Sequence, residues 1–359
     1  MSDEAYRKLA KVLDTLPNGF PQTESGVEIK LLKKIFRPED IDLFCELRLT
    51  FEATQQIAKR TGRPIEGLED KLNLMQERGQ IMGVQVGPVK LFKMLPWVIG
   101  IYEMQLHRMD REFVEMVEEY AETFSQTLFA TTPQIMQVIP VEQEIPFSQE
   151  ALPYERVSAI VEKGKSFAVS DCICKKEQKM LDNGCNKPQE VCLAIAPVPN
   201  AFENSPWRRL ISKEEAYSVL RRAEEEALVH MSSNVQNGQH FICNCCGCCC
   251  GVLRSINELN ILNATNSHYY AEIDTDVCIG CGVCADERCQ VHAIQVWDEY
   301  STVNKEKCIG CGLCVSTCPT EAVKLVPKQP EEWTIPPKDE MTWFDEKARV
   351  RGVDFSRFK

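Results

Sequence analysis

The sequence has no long apolar run. Its most apolar stretch, residues 94–102, is far shorter than the roughly 20 residues that a membrane-spanning helix requires. The first ten residues, MSDEAYRKLA, are polar and acidic, and they contain neither the basic segment nor the apolar segment of a secretory signal peptide. We therefore expect a cytoplasmic protein without a membrane span.

Basic residues are also scarce relative to acidic ones. The 41 Lys and Arg residues are outnumbered by 53 Asp and Glu residues, which gives a formal net charge of −12. Domains that bind nucleic acids usually carry a basic face. The charge balance therefore favours small molecules and other proteins as partners and argues against nucleic acids.

Motifs for nucleotide binding are missing as well. The sequence contains no G-x-G-x-x-G, and the GKS at 164–166 lacks the first glycine of a phosphate-binding loop because Ala159 stands there. It also offers no Ser–His–Asp set and no paired carboxylates. We expect no nucleotide or flavin site, and any catalysis would have to depend on the cysteines.

Cysteine is nearly absent from the first half of the chain and abundant in the second. Cys45 is the only one of the 19 cysteines before position 170. Thiols stay free in a reducing cytoplasm, so dense cysteine indicates metal binding rather than disulfides. Cys45, alone on a helix predicted over 39–49, is expected to be a core residue.

Eight cysteines form an internal repeat with a period of 30 residues. The two runs are CIGCGVCADERC at 278–289 and CIGCGLCVSTCP at 308–319. The C-x-x-C-x-x-C spacing can wrap a [4Fe–4S] cluster, and the fourth cysteine of each run binds the other cluster in such repeats. Pairs of zinc sites or plain buried thiols are the alternatives. The predicted ligand sets are Cys278, Cys281, Cys284 and Cys318 for one cluster, and Cys308, Cys311, Cys314 and Cys289 for the other.

Residues 272–327 resemble the bacterial ferredoxins that carry two [4Fe–4S] clusters. The first run departs from their pattern in two ways: four residues rather than three separate Cys284 from Cys289, and Gln290 replaces the proline. The whole chain resembles a group of anaerobe proteins known only as dicluster ferredoxin-type proteins, through its CICK at 172–175 and its ICNCC at 242–246. This second resemblance implies no substrate.

Ten further cysteines lie outside this repeat. Adjacent cysteines in an extended chain point to opposite sides, so the dense run at 243–250 suits a segment that passes between two metal centres. Ten thiols could hold two [4Fe–4S] clusters with two thiols to spare, or one cluster of unusual form, and a four-thiolate zinc site is the alternative. The nearby His230 and His240 are expected to be hairpin residues. The ten are Cys172, Cys174, Cys185, Cys192, Cys243, Cys245, Cys246, Cys248, Cys249 and Cys250.

These patterns predict an α+β protein in six segments. Three short helices followed by a hairpin suggest a winged-helix-like module, but its third helix, residues 64–78, carries four acids and two bases, which disfavours DNA binding. The aromatic residues of the tail predict docking, either on its own domain or on a partner. The segments are an arm (1–36), the winged-helix-like helical module (37–132), a linker (133–155), an α/β cysteine-rich iron–sulfur domain (156–270), a ferredoxin-like domain with two [4Fe–4S] clusters (271–327) and the tail (328–359).

Three functions follow as hypotheses. The first is an electron-transfer subunit that passes low-potential electrons between a ferredoxin or flavoprotein and a partner oxidoreductase. The second is a redox enzyme whose substrate binds an unusual iron–sulfur centre within residues 172–250. The third is a redox-sensing regulator that uses the winged-helix-like module.

Overall fold

The computed structural model describes residues 3–142, 155–203, 205 and 207–359. The chain forms two compact units. Unit 1 contains Met1–Leu128 together with Phe344–Lys359, and unit 2 contains Phe129–Trp343. No helix among the described residues is both long and apolar enough to cross a membrane.

Helices and mostly antiparallel strands occur together, in agreement with the predicted α+β class. The described helices are α1 (Glu4–Thr15), α2 (Val27–Ile35), α3 (Pro38–Phe44), α4 (Thr54–Thr61), α5 (Leu68–Glu77), α6 (Arg111–Leu128), α7 (Val157–Glu162), α8 (Ile173–Met180), α9 (Lys213–Glu225), α10 (Gly251–Glu258) and α11 (Glu340–Arg351). The described strands are β1 (Glu52–Ala53), β2 (Ile81–Val86), β3 (Val89–Met94), β4 (Met136–Val138), β5 (Ser166–Asp171), β6 (Glu190–Ala196), β7 (Arg209–Ile211), β8 (Val229–Ser233), β9 (Phe241–Cys245), β10 (Thr265–Asn266), β11 (Tyr269–Ile273), β12 (Ile294–Val296), β13 (Ser301–Val303) and β14 (Val323–Pro327).

Within the range 1–36, which is predicted to form an arm, α1 and α2 contribute to the core of unit 1. In α1, Leu9 and Leu13 are one helical turn apart and fully buried, and Leu31 and Leu32 of α2 are equally buried. Apolar side chains at this spacing give each helix one face to bury against its neighbours. The segment is therefore part of the folded unit.

A small sheet and three helices make up the middle of unit 1. Strands β1, β3 and β2 lie side by side in that order, and β2 and β3 form a hairpin after α5. Cys45 directly follows α3 and is 1% exposed, as expected of a core residue. Burial raises the pKa of its thiol to about 11, which keeps it protonated and unreactive at neutral pH.

The last part of the tail, Phe344–Lys359, belongs to unit 1. Phe344 and Phe355 pack edge to face with ring centroids 6.2 Å apart, and both are buried. Arg351 of α11 donates to the Asp14 carboxylate over 2.9 Å and to the Leu16 carbonyl over 2.6 Å. The aromatic residues of this part of the tail therefore complete unit 1.

Seven described strands of unit 2 form one sheet in the order β10-β4-β8-β9-β6-β5-β7. Strand β4 falls within the range predicted as a linker, and its three residues are buried between β8 and β10. Residues 143–154 of the predicted linker lie outside the described residues. Helix α9 packs on this sheet, and the Ser212 hydroxyl accepts from the Glu215 amide as its predicted N-terminal cap.

Buried Lys347 should make the stability of unit 1 depend on pH. Its ammonium group is completely buried and donates to the Leu128 carbonyl over 2.8 Å. Burial and, to a smaller extent, the charge of Arg351 lower its pKa to about 7. An unfolded lysine has a pKa near 10.4. Between pH 7 and this value the unfolded chain binds one more proton than the folded chain. The free energy of unfolding therefore rises with pH, by at most about 1.4 kcal/mol per pH unit.

We expect Lys347→Met to abolish this contribution. Urea unfolding at pH 7, 8 and 9, followed by helical circular dichroism, should give a smaller increase in unfolding free energy for the variant than for the wild type. The matched control is Lys59→Met, which removes an exposed lysine of the same unit and should keep the wild-type slope. Equal slopes for all three proteins would contradict the prediction.

Candidate iron–sulfur centres

Two strand pairs arrange the repeated cysteine runs. The β12–β13 hairpin places Cys289, which precedes β12, near Cys308, which follows β13. The antiparallel pairing of β11 with β14 likewise places Cys278, which follows β11, near Cys318, which precedes β14. The fourth cysteine of each run is thereby carried to the first three cysteines of the other run.

Each predicted ligand set surrounds its own cavity. The first cavity, of about 350 Å³, and the second cavity, of about 300 Å³, each have four cysteines in their walls. Four thiol donors around one space fit a [4Fe–4S] cluster. The first cavity is lined by Cys289, Cys308, Cys311 and Cys314, and the second cavity by Cys278, Cys281, Cys284 and Cys318.

Thiolates in the first cavity would need positive charge beside them. Burial raises the pKa of Cys311 to about 12 and raises that of Cys314 well above its usual range. Metal binding requires deprotonated cysteines, so a positively charged cluster core would have to stabilise the thiolates that buried surroundings do not. Backbone amides also stabilise negative charge on the sulfurs, because Ala293 donates to the Cys289 sulfur over 3.2 Å and Ala271 donates to the Cys308 sulfur over 3.3 Å.

Gly310 permits the tight backbone of the second run. Its φ is +61°, and a Cβ atom at this position would lie only 2.2 Å from the Tyr269 carbonyl oxygen. Any other residue would combine a left-handed backbone with a clash against β11. The glycine therefore lets the cysteine loop lie directly on the neighbouring strand.

The ten further cysteines separate into two groups. We call Cys185, Cys246, Cys248 and Cys249 the four-thiol group, because their sulfur atoms all lie within 4.8 Å of one another. Hydrogen bonds from Cys246 and Cys249 lower the pKa of Cys248 to about 2. The remaining cysteines form the six-thiol group, which consists of Cys172, Cys174, Cys192, Cys243, Cys245 and Cys250.

The six-thiol group is built by strand pairing and two helix starts. Cys243 and Cys245 are two residues apart on β9, so both project from one face, and the pairing of β6 with β9 places Cys192 beside Cys243. Cys172 and Cys250 occupy the N-terminal cap positions of α8 and α10. Helix N-termini favour negative charge, so both positions suit thiolates.

Neighbouring thiols and two cations stabilise negative charge in this group. Hydrogen bonds from Cys192 and Cys245 lower the pKa of Cys243 well below its usual range, and the charges of Arg208 and Lys175 lower it further. Lys175 is 1% exposed and donates to the Pro188 carbonyl over 2.9 Å. A lysine is rarely buried without a counter-charge, so its position fits an anionic centre.

The first cysteine run departs from the ferredoxin pattern at residues that contact the cysteine-rich domain. The extra residue before Cys289 is accommodated in a π-helix, Cys284–Arg288, in which the Cys289 amide donates to the Cys284 carbonyl over 3.1 Å. Arg288 is buried and donates to the carbonyls of Glu224 and Glu225 at the end of α9, each over 2.9 Å. A cation at a helix C-terminus is favourable.

Gln290 makes the second contact of this junction. Its side-chain oxygen accepts from the Gly247 amide over 2.9 Å, and its carbonyl accepts from Asn257 over 3.0 Å. A Cβ at Gly247 would lie 2.0 Å from the Gln290 carbonyl oxygen, so only glycine permits this approach. Gly247 itself lies between Cys246 and Cys248 of the four-thiol group, which therefore lies close to the first cavity.

Sequence reasoning missed Lys175 and Arg288 as contributors to these sites. Both are charged residues directly next to cysteines in the sequence, and this position could have identified them as residues that support the sites. His230, expected to be a hairpin residue, lies on β8, where its Nδ1 shares a hydrogen bond of 2.6 Å with the Asn244 side-chain oxygen. It is thus part of the support behind β9.

The comparison with protein families identifies one part of the chain. The family described as the 4Fe-4S dicluster domain matches residues 271–325. A search among curated proteins found no match to the chain. The match shows that this segment is a ferredoxin-like iron–sulfur domain, and with the many cysteines it points to a role in iron–sulfur electron transfer.

Pairs of alanine substitutions should reveal which cysteines share a cluster. Because Cys289 and Cys308 line the same cavity, C289A/C308A should lose only one cluster, or about four iron atoms per chain. C278A/C289A should lose about eight iron atoms, because it removes a ligand from both cavities. Iron and sulfide are measured after anaerobic purification, with C45A as the control that keeps the wild-type content. Loss of one cluster in C278A/C289A would show that the ligand sets are not crossed.

Proposed function

We propose that the protein transfers low-potential electrons between a ferredoxin or flavoprotein and a partner oxidoreductase. The observation that carries the proposal is the pair of cavities, each with four cysteines drawn from both halves of the repeat. In this proposal the two cavities hold [4Fe–4S] clusters, and residues 172–250 hold further iron–sulfur. When bound, such clusters accept and donate single electrons.

The second cavity is suited to exchange electrons with a partner protein. Cys281 is exposed, and Ile279 beside it is 60% exposed. Val277 and Trp297 are also large apolar residues with nearly half of their surface exposed. Exposed apolar side chains around a redox site are a common feature of transient docking surfaces. We therefore assign the external redox partner to this side.

The first cavity is suited to pass electrons into the cysteine-rich domain. It is lined by Arg288, Cys289 and Gln290, two of which bond directly to that domain. These hydrogen bonds connect the wall of the first cavity to the end of α9 and to the turn that contains Gly247. This supports a route from the second cavity through the first cavity to the cysteine-rich domain.

Unit 1 has no chemistry of its own in this proposal. We propose that its winged-helix-like part serves as a docking module for the partner oxidoreductase in an anaerobic cytoplasm. The first turn of its α5 contains Glu69 and Asp70, which disfavours a phosphate backbone as its partner. The acidic charge of the whole chain suits protein partners instead.

The six-thiol group supports a second candidate, a redox enzyme. Six cysteines exceed the four that one [4Fe–4S] cluster requires, which favours a centre of unusual form. We propose that such a centre could bind a substrate at an iron without full thiolate coordination. The test uses C278A/C308A, in which the ferredoxin clusters are removed: added cyanide should alter the spectrum of the remaining centre. An unchanged spectrum together with full sulfur coordination by X-ray absorption would exclude this candidate.

Electron-transfer function is tested by a redox titration of the anaerobically purified protein. Reduction with dithionite should produce electron paramagnetic resonance signals of low-potential [4Fe–4S] clusters, and interaction between neighbouring clusters should broaden them. The control C278A/C308A should lose the two ferredoxin signals because each cavity lacks one ligand. Absence of low-potential signals in the wild type would contradict the proposal.

A further inference from the structure

The sulfur atoms of the four-thiol group are in contact with one another. The sulfur of Cys185 lies 3.8 Å from those of Cys246 and Cys249, and Cys248 and Cys249 are 3.7 Å apart. In a [4Fe–4S] cluster each thiolate binds a different iron, so the body of the cluster holds the four sulfurs apart. The four-thiol group is too compact for a cluster of that kind.

The spacing matches a single metal ion. Four sulfurs placed tetrahedrally around zinc at about 2.3 Å lie about 3.8 Å from one another. The three separations between 3.7 and 3.8 Å agree with this edge length. These three separations together involve all four cysteines. Cys185 comes from the loop after α8, and the other three come from the turn after β9.

The ferredoxin cysteines of the same chain provide an internal comparison. Each ferredoxin set lines a cavity, whereas the four sulfurs of the four-thiol group all lie within 4.8 Å of one another. Among the described residues, the four-thiol group is the one set of three or more possible metal ligands whose donor atoms all lie within 4.8 Å. The chain therefore contains two kinds of cysteine site.

We propose that Cys185, Cys246, Cys248 and Cys249 bind one tetrahedrally coordinated metal ion, with zinc as the expected ion, and that this ion fixes the turn at 246–249 against Gln290. The proposal narrows the proposed function, because it confines the iron–sulfur of residues 172–250 to the six-thiol group. A redox-inert ion here has a structural role: it holds the Gly247 amide in position for Gln290.

Three features connect the ion to the junction. The turn that supplies three of the ligands also contains Gly247, whose amide donates to Gln290 over 2.9 Å. The close approach of Gly247 to the Gln290 carbonyl leaves no room for a side chain at position 247. Asn257 holds the same carbonyl over 3.0 Å. Fixing the four sulfurs around one ion therefore also fixes the surface that meets the first cavity.

The first experiment measures zinc and iron in the full chain by mass spectrometry, with X-ray absorption at the zinc edge. We expect one zinc per chain with four sulfur neighbours at about 2.3 Å. C185A should lose the zinc and keep the ferredoxin signals, whereas the matched control C243A, altered in the six-thiol group, should keep the zinc. Mononuclear iron with four sulfur neighbours, removed by C185A, would support the single-ion site. Loss of cluster iron from C185A without loss of a single ion would overturn it.

A second experiment tests the role of the ion at the junction by hydrogen exchange of the peptide that contains Gly247. Gln290→Ala removes the acceptor, so exchange should accelerate by on the order of tenfold, the equivalent of one hydrogen bond. C185A should accelerate exchange of the same peptide, and C45A should not. Unchanged exchange in C185A would overturn the structural role. These readouts do not depend on electron transfer, so they separate failure of this proposal from failure of the proposed function.

Discussion

The architecture of the second half of the chain depends on one electrostatic constraint: thiolates buried close together repel one another and need positive charge between them. Metal ions can supply most of that charge, and the protein supplies the rest. Two helix N-termini meet the six-thiol group at Cys172 and Cys250, and Lys175 is buried beside it. Around the first cavity, backbone amides are directed at the sulfurs of Cys289 and Cys308. These amides belong to Ala271 of β11 and to Ala293, which directly precedes β12.

Much of the ferredoxin domain could be predicted from the sequence because its cysteines are close together in the chain. Three cysteines at fixed spacing form one loop, and a repeat of that loop implies the crossed pairing that β11–β14 and β12–β13 then produce. The capped helix α9 was predictable for the same reason, since Ser212 and Glu215 are three residues apart. Unit 1 was harder to predict from the sequence, because whether the first 36 residues belong to a core depends on contacts with residues far along the chain.

The division of the ten further cysteines could not be read from the sequence. Alternation along an extended chain predicts that Cys249 lies with Cys243 and Cys245, but the chain turns after β9, and Cys249 lies with Cys246 and Cys248. Alternation also could not assign Cys185 and Cys192, which come from separate elements. Nor does spacing distinguish four sulfurs in contact from four sulfurs around a cavity. The departures from the ferredoxin pattern were visible, yet their meaning was not. The extra residue and Gln290 are irregular within the repeat because they serve contacts outside it, with α9 and with Gly247.

Residues 243–250 supply cysteines to both groups, since Cys246, Cys248 and Cys249 belong to one and Cys243, Cys245 and Cys250 to the other. Filling either site restricts the same eight residues and so lowers the conformational entropy that the other site must still remove. The two sites are therefore thermodynamically linked, and each should increase the affinity of the other. With the proposed metals in both groups, maturation would be cooperative, because binding of one metal would prepare the chain to bind the next.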